Sequence, residues 1–182
     1  GRPILPIPET PKLMAATALI GVHRVRLHET LQRGAAAAGV DVVTGTAVES
    51  LDPGDPAGAP AVVAGREADL VVGADGMHSR VRAALYPGRE AVYSGFSSWR
   101  AIVPARFGDP TLRQYWGPRA EFGVMPVRED ASYWYGYVAL PERTTHDDEL
   151  AAARARFADW AAPVREIIDA TVPEALLRHD VH

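Results

Sequence analysis

Apolar and polar positions in the first part of the chain follow the spacing of short helices and strands. Apolar residues and an alanine run stand among Arg, His, Glu and Gln over residues 24–38, and this pattern predicts an amphipathic helix. Gly39 follows as the residue that would end the helix. Residues 4–7 alternate around prolines and predict either an edge strand or an extended entry segment.

Strands and turns alternate in the next segment. Residues 40–43 predict a strand, and residues 46–66 predict a β-hairpin whose turn is the Pro/Gly-rich stretch 52–60. Residues 70–72 predict a short buried strand. A helix capped by its first residue is predicted over 79–85, because serine is a preferred N-cap.

Aromatic and β-branched residues dominate the next part of the chain. They occur in four runs separated by Gly and Pro, at residues 93–103, 112–116, 121–127 and 132–140. Three of the four tryptophans lie in these runs. The pattern predicts a compact antiparallel sheet.

Two helices are predicted after this sheet. Residues 147–160 have an amphipathic pattern, with Leu150, Phe157 and Trp160 as the inner face. A shorter helix is predicted to begin at Pro163 and to end near residue 170, because proline is favoured at the first helical position.

The order of these elements divides the chain near residues 86–88, where turn residues stand on both sides. The predicted fold class is α/β (α+β), with an α/β half up to residue 88 and an antiparallel sheet with helices over residues 89–182. A length of 182 residues suffices for one medium domain or two small ones.

Composition narrows the classes of function. The chain is 47% hydrophobic and 23% charged, as soluble globular proteins are. A net charge of −4 gives no reason to expect a nucleic-acid partner. The sequence has no apolar run that could span a membrane and no signal-peptide pattern. It has no cysteine, which excludes disulfides and thiolate chemistry. We therefore expect a cytoplasmic protein that binds neither membranes nor nucleic acid.

The two ends of the sequence suggest a piece of a longer protein. The chain begins at Gly1 without a methionine, and it ends on a polar segment, residues 178–182. His179 and His182 form the only histidine cluster of the sequence. We interpret this cluster as a solvated tail rather than a metal site, because a metal site needs more ligands and a supporting shell.

The most informative segment is residues 69–85, where a Gly/Asp-rich turn joins the predicted strand to the predicted helix. Gly73 and Gly76 allow close approach to the backbone, and Asp75 places a carboxylate at the end of a strand. The alternative is an Asp-Gly turn that binds no ligand. The segment resembles the Asp-Gly motif of flavoprotein monooxygenases with the para-hydroxybenzoate hydroxylase fold.

This resemblance implies roles for four residues. Asp75 and Gly76 would lie along the pyrophosphate and ribose of FAD, and Arg80 would contact FAD or NAD(P)H unless it pairs with a surface carboxylate. Residues 22–31 resemble the second flavin-contacting element of the same family, in which Arg24 would reach the phosphate and ribityl part of FAD. The alternative is that Arg24 is an ordinary exposed residue at the start of a helix.

A third segment, residues 93–104, resembles the first substrate-domain strand of the salicylate hydroxylase-like branch. An inner sheet face could wall an aromatic substrate with the side chains of Trp99, Tyr115, Phe122 and Tyr135. Arg100 could hold a substrate carboxylate or phenolate. We take Arg100, Tyr115 and Phe122 as candidate substrate-binding residues. The alternatives are that these aromatic residues form the core and that Arg100 pairs with a nearby acid.

The resemblance implies part of an FAD-binding domain in residues 1–88 and a substrate domain in residues 89–182. It implies an enzyme that hydroxylates a small aromatic molecule with NAD(P)H and O2. The flavin supplies the oxygen chemistry, so neither a catalytic acid or base nor a metal is needed. The family's Gly-x-Gly-x-x-Gly and Gly-Asp…Ala-Ala-His motifs are absent. We therefore expect a central fragment that is inactive and binds FAD weakly or not at all.

Other functions stay open. The parent protein could be an epoxidase or a ubiquinone-pathway hydroxylase of the same superfamily. The chain could also be a binding module for small aromatic molecules without a redox role. A nicotinamide dehydrogenase is disfavoured, because the Gly-rich fingerprint is absent and the predicted sheet of residues 93–140 has no place in that fold.

Overall fold

The computed structural model describes residues 22–107 and 112–182. The segment 4–7, with its predicted edge strand or extended segment, lies outside these residues. Across the described ranges, no helix is both long enough and apolar enough to cross a membrane.

The chain forms two compact units. In the described part of the chain, one unit contains residues 22–30 and 94–181, and the other contains residues 31–93 together with residue 182. We call them the sheet unit and the turn unit.

Helix α1 (Arg24–Ala37) crosses the division between the units and confirms the helix predicted over residues 24–38. Gly39 follows it with a φ of +74°. Within the described residues none of the α1 side chains is buried, and Val25 and Leu31 are more than half exposed. The apolar side of this helix therefore faces no core that the described residues form.

The turn unit contains a three-stranded antiparallel sheet in the order β1-β2-β3. The strands are β1 (Leu51–Asp52), β2 (Ala61–Val63) and β3 (Arg66–Ala68). Because β1 pairs with β2, the hairpin predicted within residues 46–66 is confirmed, with a shorter first strand than expected. Helix α2 (Arg80–Leu85) confirms the second predicted helix.

Two strand predictions in this unit are wrong. Residues 40–43 and 70–72 have no strand geometry, and Leu70 and Val72 are 79% and 76% exposed rather than buried. A strand persists when a neighbour satisfies its backbone N–H and C=O groups. No strand pairs with either segment in the part of the chain that the structure describes. Apolar composition alone therefore does not make a strand at these positions.

The sheet unit is built on five antiparallel strands in the order β5-β6-β7-β4-β8. They are β4 (Phe96–Val103), β5 (Arg113–Gly117), β6 (Ala120–Arg128), β7 (Ala131–Ala139) and β8 (Leu177–Val181). The first four confirm the predicted antiparallel sheet, because alternating apolar and polar residues bounded by Gly and Pro mark strands reliably.

The fifth strand corrects the prediction of a solvated tail for the residues up to Val181, whereas His182 lies outside the strand and is exposed. β8 pairs with β4 along its whole length, with Ser98 opposite His179. Arg178 and Asp180 point to the other side of β8, where their side chains are largely buried and joined by a 2.8 Å ion pair. The charged residues of this strand satisfy one another inside the protein, so a polar sequence still forms an ordered strand.

Two helices pack on one side of this sheet, which we call the covered face. They are α3 (Glu149–Arg156) and α4 (Val164–Asp169), and they confirm the two helices predicted there. Leu150 and Phe157 belong to the core as predicted, and the partly buried Trp160 packs edge-on against Phe157. Their burial excludes water from the covered face and leaves the opposite face for binding.

Candidate functional site

Asp75 holds its own turn together through both carboxylate oxygens. Oδ1 accepts a 2.5 Å hydrogen bond from the Ser79 hydroxyl, and Oδ2 accepts bonds of 2.6 Å and 3.2 Å from the backbone N–H groups of Arg80 and Val81. The Ser79 hydroxyl and these N–H groups lower the pKa of the exposed Asp75 carboxyl group. The carboxylate therefore orders the start of α2.

Two glycines shape this turn. Gly76 has a φ of +76°, a conformation that favours glycine. A Cβ at Gly73 would lie 2.8 Å from the side chain of Val81, too close for any other residue without movement. The backbone of the turn therefore lies close against α2 at Gly73, whereas Gly76 is exposed and has open space beside it.

Arg80 and Arg24 are the two arginines for which a contact with FAD was predicted. Each is the first residue of its helix, Arg80 in the turn unit and Arg24 in the sheet unit, and each is exposed. Neither guanidinium bonds to a residue that the structure describes. A guanidinium is a forked donor that suits a phosphate oxygen pair, so each of the two arginines, taken in its own unit, is chemically suited to bind an anion. Asp75, Gly76 and Arg80 lie together in one turn.

The side of the main sheet opposite the covered face carries a row of tyrosines, and we call it the tyrosine face. Tyr133, Tyr135 and Tyr137 stand at alternate positions of β7, with ring centroids 6.1 Å and 5.1 Å apart. The ring of Tyr135 lies over Gly123 of β6, where a Cβ would approach its ring carbons to 2.3 Å. This glycine lets the ring reach across the neighbouring strand.

A polar network fixes the Tyr135 hydroxyl. It donates a 2.8 Å hydrogen bond to Glu121 Oε1 and accepts one of 2.8 Å from Gln114 Nε2. Gln114 Nε2 also donates to the same Glu121 oxygen at 2.7 Å. Burial raises the pKa of Tyr135 to about 12, and the Glu121 carboxylate adds to the effect while Gln114 opposes it. Tyr135 therefore keeps its proton and its direction of donation.

Arg100 lies on the tyrosine face, opposite Tyr135 in the β4–β7 register. Its Nη2 atom is 3.3 Å from His179 Nε2, and it also hydrogen-bonds Tyr133. Burial lowers the pKa of His179, and the charges of Arg100 and Arg178 lower it further. His179 is therefore neutral near pH 7, and its Nε2 can accept a hydrogen bond from the Arg100 guanidinium. These contacts hold a cation beside the aromatic row.

A cavity of about 420 Å³ opens at one end of the tyrosine face. Its wall is mainly apolar, with the side chains of Phe96, Trp116 and Tyr137, and Glu121 and Arg119 supply its charged groups. This volume is in the range of sites for small organic ligands. Trp116 is 66% exposed although it is aromatic. A planar molecule bound against it would reduce this exposure.

The structure separates the three candidate substrate-binding residues. Phe122 is fully buried on the covered face, where it stacks on Trp134, and Tyr115 packs edge-on against Phe122. Arg100 lies on the opposite face. The expectation that Tyr135 shares a face with Phe122 is wrong, because side chains alternate along a strand and Tyr135 is aligned with Arg100 instead.

Glu121, Gln114, His179 and the outer tyrosines were not predicted as site residues. A usable signal lay in residues 133–137, where tyrosine recurs at every second position. Such alternation places all three rings on one face of a strand. The partners on β5, β6 and β8 could not be read in the same way, because they depend on the register between strands.

Comparison with known proteins settles the family. The model of the FAD binding domain family matches residues 11–171. The chain belongs to the FAD binding domain family. The resemblance to FAD-dependent monooxygenases is confirmed, as are the mixed α and β fold class and FAD as the cofactor of the family. The roles of individual residues stay predictions.

Its relatives include enzymes of different chemistry. The aurachin C monooxygenase/isomerase of Stigmatella aurantiaca is 36% identical over 172 residues, which cover 90% of this chain and 44% of that protein. The chloroplastic zeaxanthin epoxidase of Spinacia oleracea is 33% identical over 123 residues, 64% of this chain and 18% of that protein.

A solved structure with bound cofactor is also similar. Klebsiella pneumoniae HpxO, complexed with FAD and uric acid, matches with a TM-score of 0.74 and 26% identity, over 88% of this chain and 43% of that one. The chain thus spans less than half the length of the aurachin C enzyme and of HpxO.

Proposed function

We propose that the chain is the central part of an FAD-dependent monooxygenase that uses NAD(P)H and O2 to oxygenate a small aromatic molecule. The tyrosine face carries this proposal: a row of three rings at stacking distance lies beside the Arg100 guanidinium, and the last ring of the row, Tyr137, lines a cavity of about 420 Å³. Reduced FAD supplies the oxygen chemistry when it is bound. The task of this chain is to bind and orient the two molecules.

On the cofactor side, residues 1–88 contribute to FAD binding in this proposal. In the turn unit, Arg80 offers its guanidinium group to phosphate and the Gly76 backbone gives close approach. Arg24 offers a guanidinium group in the sheet unit. Asp75 acts as a positioning residue, because both of its oxygens are used by the turn itself. Its bonds to the start of α2 keep the backbone N–H groups and the base of Arg80 in place.

On the substrate side, residues 89–182 form the substrate domain. The tyrosine rings stack on a planar substrate, and Arg100 holds a carbonyl, carboxylate or phenolate oxygen. The burial of Phe122 gives it a supporting role behind the sheet, and Tyr115 supports it at the edge. We therefore assign direct substrate contact to Tyr133, Tyr135 and Tyr137 instead of these two residues.

Epoxidation is the second candidate reaction, favoured by the similarity to zeaxanthin epoxidase. The two reactions make different demands on Arg100. An alkene that becomes an epoxide presents no anionic oxygen, so Arg100 would contribute little to its binding. A phenol or keto-heterocycle depends on that cation, because a guanidinium stabilises the oxygen charge that develops on the ring.

The test uses the full-length protein purified with FAD. NAD(P)H oxidation is measured against a panel of phenols, keto-heterocycles and alkenes. Arg100→Gln should lower kcat/KM for the oxygen-bearing substrates by about tenfold or more, with an unchanged FAD content. Arg128→Gln is the control, because Arg128 lies at the far end of β6 and pairs with Asp130. Equal activity of both variants on every substrate would overturn the role of Arg100, and a flavin-free protein would overturn the function.

A further inference from the structure

We propose that Glu121 selects the substrate: the site takes a planar N-heteroaromatic ring whose N–H donates to this carboxylate. The inference rests on the proposed function and names its substrate class. It starts from the way in which the two oxygens of one carboxylate are used at the cavity wall.

The two oxygens of Glu121 have different surroundings. Oε1 accepts both hydrogen bonds of the network, from the Tyr135 hydroxyl at 2.8 Å and from Gln114 Nε2 at 2.7 Å. Oε2 has no donor among the residues that the structure describes, and no arginine there forms an ion pair with Glu121. Glu121 lines the cavity. One oxygen is therefore saturated by the protein and the other is left for a ligand.

The network also fixes which oxygen is free. Gln114 donates to the Tyr135 hydroxyl, so the hydroxyl proton has to point to Glu121. Both donors reach the same oxygen, which locks the side chain in one orientation. In a mainly apolar cavity, an acceptor atom on the ligand would face the lone pairs of Oε2, and an N–H would satisfy them. The preference for a ligand N–H over a ligand acceptor atom therefore comes from a local electrostatic interaction with Oε2.

Two probe molecules of one shape isolate this contact. 4(1H)-Quinolone carries a ring N–H where chromone, with the same bicyclic skeleton and the same carbonyl, carries a ring oxygen. Their dissociation constants are measured by calorimetry on the full-length protein with FAD. We expect quinolone to bind at least tenfold more tightly than chromone, as a hydrogen bond to a charged group predicts.

Glu121→Gln should reverse this preference. The donors Tyr135 and Gln114 will keep the carbonyl oxygen of the new amide at the position of Oε1, so its NH2 group will turn to the cavity. That group repels a ring N–H and donates to a ring oxygen, and the ratio of the two dissociation constants should shift by tenfold or more. Glu129→Gln, in the turn at the far end of β6, is the matched control and should keep the original ratio.

Several outcomes would overturn the inference. They are equal binding of the two probes by the unmodified protein, an unchanged ratio in Glu121→Gln, or the same shift in Glu129→Gln. Arg119→Gln is a second variant, because Arg119 lines the same cavity, and a lost preference there would assign selection to Arg119. The binding ratio is independent of turnover. A protein that discriminates the probes but consumes no NAD(P)H would refute the proposed function and leave the inference standing.

Discussion

Replacing Gly123 with alanine should displace Tyr135 and weaken ligand binding while leaving the fold nearly as stable as before. The added Cβ would lie 2.3 Å from two ring carbons of Tyr135 and 2.6 Å from its hydroxyl oxygen. The ring has to move by roughly 1 Å to regain ordinary carbon contact. A shift of that size lengthens the 2.8 Å bond to Glu121 beyond hydrogen-bond range.

The energetic cost divides between stability and binding. Tyr135 is only half-buried, so water can replace its lost bonds, and we expect a loss of about 1 kcal/mol in the free energy of unfolding. Gly136→Ala is the matched comparison on the covered face. Its Cβ would lie 2.8 Å from the ring of Phe157, which is fully buried and has no space to move. Overpacking there costs about 3 kcal/mol.

Urea unfolding gives the stability of both variants, and calorimetry with 4(1H)-quinolone gives the affinity. Gly123→Ala should lose at least fivefold in affinity with a small change in the urea midpoint, because the freed Glu121 carboxylate can rotate. Gly136→Ala should show a large shift of the midpoint. Unchanged quinolone binding by Gly123→Ala, or equal destabilisation by the two variants, would refute the argument from ring placement.

Two further outcomes follow from buried polar groups. Burial raises the pKa of Tyr135 to about 12, so its stabilising contribution is complete below about pH 10 and is lost as the pH rises toward 12. The free energy of unfolding of Tyr135→Phe, measured in urea, should therefore decline less over this pH range than that of the unmodified protein. An identical decline in the two proteins would contradict this expectation. Arg178→Leu should cost about 2 kcal/mol, less than a fully orphaned charge, because Ser97 and the Arg143 N–H still donate to Asp180. The double variant Arg178→Leu/Asp180→Leu should lose less free energy of unfolding than Arg178→Leu alone, because it leaves no buried charge without its partner. A larger loss for the double variant in urea unfolding would contradict this account of the ion pair.

Local patterns predicted the elements whose own residues have a clear spacing or are bounded by turn residues. Helix α1, the hairpin of β1 and β2, and strands β4 to β7 all follow from spacing and turn residues. Residues 70–72 have the composition of a strand, but strand formation depends on a neighbour that composition does not reveal. β8 was not predicted, because it has the polar sequence of an exposed tail. Its inward charges, Arg178 and Asp180, satisfy each other within the protein.

The site was predictable in part. The Asp75 turn could be located from its glycines and its serine cap, since all of its bonds are local. Arg100 lies on the strand predicted for it, whereas Tyr115 and Phe122, which were predicted to contact a substrate, lie on the covered face. Only the pairing of Arg100 with Tyr135 reveals which aromatic rings share a face with the cation. Register between distant strands cannot be read from composition.

Ser94, which stands just before β4, and Val181, the last residue of β8, lie in contact. The backbone N–H and the hydroxyl of Ser94 both donate to the carbonyl oxygen of Val181, at 2.8 Å and 2.7 Å. The two ends of the segment 94–181 therefore lie side by side, as the ends of inserted domains commonly do. A segment whose two ends lie side by side can be replaced as one piece, because both of its junctions fall at adjacent positions.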